Sequence, residues 1–227
     1  VAYIQGHPIY VDERVIVPRS YIGELLGDGL EPVVPPDASI HRILDLCTGS
    51  GCLAILAALA FPEAHVDAVD VSADALAVAH RNVADYGLGH QVTLLQGDLF
   101  TPVRGKRYDL ILTNPPYVDS QAMAALPPEY GHEPRLALAA GTDGLALIRP
   151  ILEQTSRYLT PHGSLVAEIG RCRPALEQAF PHLSLLWLDT EHSEGEVFAV
   201  TAEDLANADG EHPDIPGGKK HRRQRKP

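Results

Sequence analysis

The chain has 227 residues, a formal net charge of −12 and 45% hydrophobic residues. This length allows one domain with a substantial core, and the composition is ordinary for a globular protein. Because the chain has no apolar run of about 18 residues, no basic-then-apolar start and only three cysteines, we expect no transmembrane helix, no signal peptide and no disulfide framework, which indicates a reducing cytoplasm.

Residues 1–36 are predicted to form a β-hairpin and a short helix that lead into the main domain. Two β-type runs, at residues 8–11 and 15–17, are separated by three charged residues and indicate the two strands of the hairpin. Ser20 is placed to cap the helix that follows, and several prolines then separate this part from the rest of the chain.

From residue 37 to residue 205, predicted strands and helices alternate. The strands are predicted at residues 42–44, 66–70, 91–96, 108–113, 164–169, 183–188 and 197–201. Helices are predicted at residues 52–60, after Ser72, and at residues 145–159 and 175–180. Repeated β-α units predict a Rossmann-like α/β domain, with a mostly parallel seven-stranded sheet and helices on both faces.

A glycine-rich turn follows the first strand of this domain. It has the sequence Asp45-Leu46-Cys47-Thr48-Gly49-Ser50-Gly51, and residues 49–54 fit the pattern G-x-G-x-x-G/A, with Asp70 placed 21 residues beyond Gly49. Such a turn lets a ligand approach the backbone and offers free N–H groups to an anion. The pattern alone fits a dinucleotide site or a tight turn of any α/β domain. The two cysteines beside the turn are expected to be small core residues rather than zinc ligands.

Polar residues are predicted at the carboxyl ends of four strands, where α/β folds bind their ligands. They are Asp45, Asp70, Asp98 and Asn114. The last of them begins the run Asn114-Pro115-Pro116-Tyr117, in which two prolines hold the backbone extended and remove two N–H donors. The asparagine adds an acceptor oxygen and the tyrosine an aromatic face. The run is therefore suited to holding a planar –NH2 group by both hydrogens, and an ordinary proline turn is the less favoured alternative.

Together, the glycine turn and the run at residues 114–117 resemble the class I S-adenosylmethionine-dependent methyltransferases that modify amino groups on planar systems. In that class the run N-P-P-Y occurs in adenine N(6) enzymes, in guanine-modifying ribosomal RNA enzymes and in protein glutamine N(5)-methyltransferases. The loop after it, at residues 132–138 and 141–145, resembles the glutamine type. The segment Val17-Pro18-Arg19-Ser20 stands where release-factor enzymes carry R-P-E-T-E, so the chain most resembles the subfamily that methylates large-subunit ribosomal protein three.

The resemblance covers about residues 1–205 and implies methyl transfer from S-adenosylmethionine, without a metal, to the side-chain amide of a glutamine in a basic ribosomal protein. The implied cofactor-binding residues are Asp45, Cys47, Thr48, Gly49, Gly51, Asp70, Val71, Asp98, Leu99 and Asn114. The implied catalytic residues are Asn114, Pro115 and Tyr117, and the implied substrate-binding residues are Asn114, Pro115, Pro116, Tyr117, Arg19 and Glu133.

Both ends of the chain depart from the family pattern. The family usually has a small helical N-terminal domain, which is expected to be absent here, and the hairpin looks several residues short between Gly6 and His7. Residues 206–227 are predicted to be a disordered basic tail outside the shared pattern. For this tail a role in solubility is favoured over a weak RNA contact.

Charge separates the alternatives that stay open. Residues 211–227 hold six Lys/Arg and two acidic residues, which leaves 12 basic and 28 acidic residues before them, a net charge of −16. Such a body repels nucleic-acid phosphate and attracts a basic partner, which disfavours a nucleic-acid amino methyltransferase. An NAD-dependent oxidoreductase would explain the glycine pattern but not the run at residues 114–117. A release-factor methyltransferase and a non-catalytic ribosome-assembly binder are further alternatives.

Overall fold

The computed structural model describes residues 1–120, 123 and 134–210 of the chain. The strands are β1 (Ala2–Ile4), β2 (His7–Ile9), β3 (Arg42–Leu46), β4 (His65–Asp70), β5 (Val92–Gln96), β6 (Tyr108–Thr113), β7 (Leu159–Glu168), β8 (Leu186–Leu188) and β9 (Val197–Thr201). The α-helices described in full are α1 (Ile22–Gly27), α2 (Cys52–Ala60), α3 (Ala73–Asp85), α4 (Ile148–Thr155), α5 (Arg173–Ala179) and α6 (Ala202–Gly210). None of these helices has the length and apolar character needed to span a membrane.

Seven strands form one sheet in the order β5-β4-β3-β6-β7-β9-β8. The pairs from β5 to β7 are parallel, and β9 runs antiparallel to both of its neighbours. The predicted mostly parallel, seven-stranded α/β fold is therefore confirmed. The strand order reverses between β3 and β6, and ligands of such sheets bind beside the carboxyl ends of strands at this kind of reversal.

Helices cover both faces of the sheet. On one face α1 and α2 pack against alternate residues of β3, β4 and β6. On the other face α4, α5 and α6 pack against the intervening residues of β3, β6 and β7. Each fully buried Leu, Ile or Val side chain in these layers contributes about 1.5–3 kcal/mol through removal from water. The rigid double layer fixes where each strand ends, and with it the positions of the loops at the carboxyl edge.

Glycine is needed where the glycine turn enters α2. Gly51 has a φ of 79°, and a Cβ there would lie 3.1 Å from the Cβ of Ala79 on α3. A larger residue would be strained and would also push the two helices apart. The next helix begins as predicted, because the Ser72 Oγ accepts a hydrogen bond from the Ala75 N–H at 3.2 Å.

The N-terminal hairpin exists, but its predicted strands are wrong. The structure pairs β1 with β2 through a two-residue turn in which Gln5 and Gly6 have φ of 48° and 76°, the positive values of a type I′ turn. The turn between the two strands thus has two residues, and the expectation that the hairpin is several residues short of the family pattern stays a prediction. The run at residues 15–17 forms no strand, because Val15 packs against α3 instead.

Several other predicted boundaries differ from the structure. The helix predicted at residues 145–159 ends at Thr155, and Leu159 begins β7, which is longer than predicted at its N-terminal end. The sixth strand, predicted at residues 183–188, is observed as the shorter strand β8. Helix α6 includes the first five residues of the predicted tail, so a tail can begin only after Gly210. Residues 211–227 lie outside the described residues.

Candidate active site

A cavity of about 290 Å³ lies at the carboxyl edge of the sheet. Of the predicted cofactor-binding residues, the structure places on its wall Cys47, Gly49, Asp70, Val71, Asp98, Leu99 and Asn114. These residues come from the loops after β3, β4, β5 and β6, which the parallel sheet brings together. The sequence prediction that the polar strand ends meet at one edge is therefore supported for Asp70, Asp98 and Asn114.

The carboxylate of Asp70 is held by two backbone donors. Its Oδ2 accepts a hydrogen bond from the Gly49 N–H at 2.9 Å, and its Oδ1 accepts one from the Ser72 N–H at 2.9 Å. Each oxygen keeps a further lone pair, because an ionised carboxylate has about four acceptor positions. Asp70 can therefore accept further hydrogen bonds from a ligand in the cavity without moving.

The backbone around the cavity is bent into unusual conformations. Gly49 has a φ of 55°, and a Cβ there would meet nothing within 4 Å, so the turn is open on that side. Cys47 and Leu99 are not glycines, yet they have φ of 60° and 44° and both line the cavity. Residues held in this region cost of order 1 kcal/mol or more each, and such strain clusters at ligand sites.

Three predicted cofactor residues do not line the cavity. Asp45 is fully buried, and its Oδ2 accepts a hydrogen bond from the Thr48 hydroxyl at 2.5 Å. Burial raises the pKa of Asp45 to about 7, and its Oδ1 has no hydrogen-bond partner among the described residues. Gly51 packs against α3. These residues support the turn from behind rather than forming the cavity wall.

A second cavity of about 720 Å³ adjoins the first. Asn114 and Pro116 line both cavities, whereas Pro115, Tyr117 and Arg19 line only the second. Glu133, the remaining predicted substrate residue, lies outside the described residues. The run at residues 114–117 thus forms the boundary between a cavity on the glycine-turn side and a cavity on the opposite side.

Two acceptors at this boundary are available to a ligand. Among the described residues, none makes a hydrogen bond to the Asn114 side chain or to the Pro115 carbonyl. The preceding residue, Thr113, donates its hydroxyl to the Leu46 carbonyl at 3.0 Å, which ties the end of β6 to the end of β3. An acceptor pair beside a fixed strand end can orient a group that carries two N–H bonds.

Tyr117 is fixed by the end of β7. Its hydroxyl donates a hydrogen bond to the Glu168 Oε1 at 3.2 Å, and its carbonyl accepts one from the Cys172 thiol at 3.2 Å. Burial, together with the nearby Glu168 carboxylate, raises the pKa of Tyr117 well above its ordinary value. The ring is therefore a neutral wall of the second cavity.

Sequence reasoning missed two contributions to these cavities. Arg14, Val15 and Ile16 line the first cavity, although they were predicted to belong to the hairpin. Glu168 contacts Tyr117, and its one sequence signal is an acidic residue within an otherwise apolar strand, Leu165-Val166-Ala167-Glu168-Ile169. Neither contribution follows from local pattern, since both depend on chain segments that are far apart in sequence.

The position of Arg14 to Ile16 follows from two polar anchors. The Asn82 side chain on α3 accepts a hydrogen bond from the Tyr10 N–H at 2.8 Å and donates to the Tyr10 and Ser50 carbonyls at 3.0 and 2.8 Å. The Asp12 carboxylate accepts hydrogen bonds from Arg14 Nε and Nη2 at 2.9 and 2.6 Å, and the guanidinium holds the pKa of Asp12 well below its usual range. The segment is thus bent over the glycine turn.

Comparison with known proteins supports a methyltransferase fold. Residues 30–126 match the family model described as "Methyltransferase small domain". A solved structure, the ribosomal protein L11 methylase from Lactobacillus delbrueckii subsp. bulgaricus, has a TM-score of 0.51 and 20% identity to the chain. The match covers 78% of this chain and 75% of that one, and at this identity it shows the fold alone.

Two curated relatives are much more similar in sequence, and both are named ribosomal protein uL3 glutamine methyltransferase. The protein from Bradyrhizobium diazoefficiens is 60% identical over 209 residues, which cover 89% of this chain and 66% of that protein. The protein from Bordetella pertussis is 56% identical over 204 residues, covering 90% of this chain and 68% of that protein. The chain thus spans about two thirds of the length of these relatives.

Proposed function

The chain belongs to the ribosomal protein uL3 glutamine methyltransferase family, and on this premise we propose that it methylates the side-chain amide nitrogen of a glutamine in uL3, using S-adenosylmethionine. The observation that carries the proposal is the boundary at Asn114 and Pro116, where two cavities meet beside unpaired acceptors. One cavity suits the methyl donor and the other suits the glutamine side chain. A ribosomal substrate would place the reaction in the cytoplasm.

The lining of the first cavity supports its assignment as the S-adenosylmethionine site. Its wall offers the aligned Asp70 carboxylate for ribose hydroxyls, and Asp98 with Leu99 for the amino group and the ring of adenine. The open face of Gly49 leaves room for the methionine portion close to the backbone. When bound, S-adenosylmethionine supplies an electrophilic methyl group on its sulfonium, and S-adenosylhomocysteine is the product. The buried Asp45 and Thr48 would keep the turn in shape.

The residues of the second cavity would orient the nucleophile. A glutamine amide nitrogen is a weak nucleophile, because its lone pair is delocalised into the carbonyl. Asn114 Oδ1 and the Pro115 carbonyl would accept its two N–H bonds, fix its orientation and favour positive charge on nitrogen. No base is needed to deprotonate the amide nitrogen before methyl transfer, because the nitrogen becomes strongly acidic once it carries positive charge. Tyr117 would form a wall beside the glutamine side chain, and Arg19 and Glu133 are proposed to contact the substrate.

Two alternatives are less well supported. A nucleic-acid amino methyltransferase would share the fold, but the net charge of −16 before residue 211 opposes phosphate binding. A release-factor methyltransferase would share the chemistry, but the two curated relatives described above carry uL3 in their names. A weak RNA contact through the basic residues 219–226 is a secondary proposal for which charge is the only argument.

The proposal is tested by identifying the methylated residue. The protein is incubated with isotope-labelled S-adenosylmethionine, unmodified ribosomal proteins, ribosomal RNA and release factors, and the products are mapped by mass spectrometry. The expected result is one labelled methyl group on the side-chain amide of one glutamine in uL3. Label on RNA or on a release factor would contradict it. Thermal protection by NADH but not by S-adenosylhomocysteine would support an oxidoreductase instead.

A further inference from the structure

Glu168 is a buried carboxylate at the end of β7 that the proposed chemistry does not use. Its side chain is 0% exposed. No Lys, Arg or His among the described residues forms an ion pair with it. Burial raises the pKa of Glu168 above its ordinary value, since the charged form loses hydration there. A carboxyl group in such a place costs free energy unless its hydrogen bonds compensate, so its partners show what it does.

Three donors from two distant segments converge on Glu168. Its Oε2 accepts hydrogen bonds from the Ser20 hydroxyl at 2.7 Å and from the Tyr21 N–H at 2.9 Å. Its Oε1 accepts the hydrogen bond from the Tyr117 hydroxyl at 3.2 Å. One carboxylate therefore joins the segment that enters α1 to the loop that follows β6, and these segments are about a hundred residues apart in sequence.

Both of these segments line the second cavity. Arg19 and Tyr21 line it from the N-terminal segment, and Tyr117 lines it from the loop after β6. The residues after Glu168 also act on Tyr117. A Cβ on Gly170 would lie 2.6 Å from Tyr117 Cε2, so the ring packs directly against the backbone at the end of β7. The ring position thus depends on contacts at its face and at its hydroxyl.

We propose that Glu168 is a positioning residue that fixes two parts of the substrate-cavity lining relative to each other, by holding Tyr117 and the Arg19–Tyr21 segment on one carboxylate. This inference rests on the proposed function for its effect on uL3, but the geometry it describes is a property of the free protein. Glutamine at this position keeps the volume but replaces the two carboxylate oxygens with one neutral acceptor oxygen and an NH2 donor, so it weakens the hydrogen bonds that hold the two segments. The cofactor cavity does not include Glu168, Tyr21 or Tyr117, so substitution of Glu168 should leave the affinity for S-adenosylmethionine unchanged.

The first test measures hydrogen–deuterium exchange in the free protein for the parent, Glu168→Gln and a control, Glu177→Gln. Glu177 pairs with Arg173 on the exposed face of α5, so its substitution changes a carboxylate to an amide away from the cavity. In Glu168→Gln we expect exchange to rise about tenfold in both peptides 17–27 and 114–120, as hydrogen bonds to a charged acceptor are lost. Exchange equal to the parent in either peptide overturns the inference.

The second test measures methylation kinetics with uL3. For Glu168→Gln we expect the KM for uL3 to rise about tenfold, with S-adenosylhomocysteine affinity within twofold of the parent. In a protein that already carries Tyr117→Phe, Glu168→Gln should raise the KM for uL3 much less, because the hydrogen bond between the two side chains is already absent. An unchanged KM for uL3, or full additivity with Tyr117→Phe, overturns the inference. A parent that does not methylate uL3 contradicts the proposed function instead, and the exchange measurement still decides the role of Glu168.

Discussion

Asp45 and Asp70 end neighbouring strands, but their carboxylates lie in opposite surroundings. Asp70 faces the first cavity and is aligned by the N–H groups of Gly49 and Ser72. Asp45 is sealed behind the turn, with Thr48 as its hydrogen-bond donor and one oxygen unpaired among the described residues. The two acidic residues therefore have different roles. Asp70 is available to a ligand, and Asp45 supports the backbone that the ligand would contact.

The burial of Asp45 predicts a dependence of stability on pH. The folded-state pKa of about 7 is raised above the unfolded value of 3.8, so the folded state binds this proton more tightly. Its contribution to stability is therefore present below about pH 4 and is lost as pH rises towards 7, by about 1 kcal/mol for each pH unit. Compared with Asp45→Asn, the parent should lose unfolding free energy across this window in urea titrations.

A matched control for this measurement is Asp85→Asn, which removes an exposed carboxylate that faces Arg81 at 3.7 Å. Its unfolding free energy should follow the pH profile of the parent. A constant difference between the parent and Asp45→Asn from pH 4 to pH 7 would contradict the raised pKa of Asp45.

At the scale of elements, the segment between β2 and α1 is more than a connection. Asn82 anchors its start, Asp12 bends it, and Glu168 holds its end. Between these anchors the segment contributes Arg14 and Ile16 to the first cavity, and Ile16 also lines the second. It has no regular secondary structure, and three polar anchors replace the hydrogen-bond ladder that a strand would supply.

This segment also shows where sequence-based prediction succeeded and failed. The bounds of α2, β6 and β9 were predicted correctly, because short apolar runs between polar or glycine residues identify buried elements locally. The strand ends were predicted to meet because parallel topology requires it. The run at residues 15–17 was predicted as a strand from its β-branched residues, but packing of Val15 on α3 overrides that propensity.

The site was predictable to the extent that it follows from strand ends. Asp70, Asp98 and Asn114 were predicted in this way, and all three line the first cavity. Glu168 was not, because its partners Ser20 and Tyr117 lie 148 and 51 residues away, and nothing local indicates them. Asp45 and Gly51 were also predicted to contact the cofactor, which stays a prediction; they do not line the first cavity, and periodicity locates an element but not the side of a loop that faces a ligand.

At the scale of the whole molecule, both cavities open on the same edge of one acidic body. The part of the chain before residue 211 carries a net charge of −16. Ribosomal proteins bind RNA and are typically basic, so uL3 would be attracted over distances comparable to the Debye length. The charge therefore favours a free ribosomal protein as the substrate over one already bound to RNA.

Electrostatic recruitment predicts a salt-dependent association rate. The rate constant for association with uL3 should fall several-fold when ionic strength rises from ~20 to ~150 mM, because screening shortens the range of attraction. Stopped-flow fluorescence measures this directly. A chain ending at Gly210 serves as the control, and without the six basic tail residues it should associate at least as fast. A rate that is flat across this range would contradict recruitment by charge.

The most direct test of the central claim is single-turnover methylation of uL3 by Asn114→Asp and Asn114→Ala. Asn114→Asp keeps an acceptor oxygen but places a negative charge beside the sulfonium, which stabilises the bound donor more than a transition state in which that charge is dispersing. Asn114→Asp should bind S-adenosylmethionine with at least parental affinity, and Asn114→Ala should still bind it, but both should transfer methyl about 10²-fold more slowly, equivalent to roughly 2.7 kcal/mol of transition-state stabilisation. Asn207→Ala, an exposed change on α6, should match the parent. Transfer by both Asn114 variants within a few-fold of the parent, at saturating donor and uL3, would contradict the role of Asn114 as the residue that holds the substrate amide.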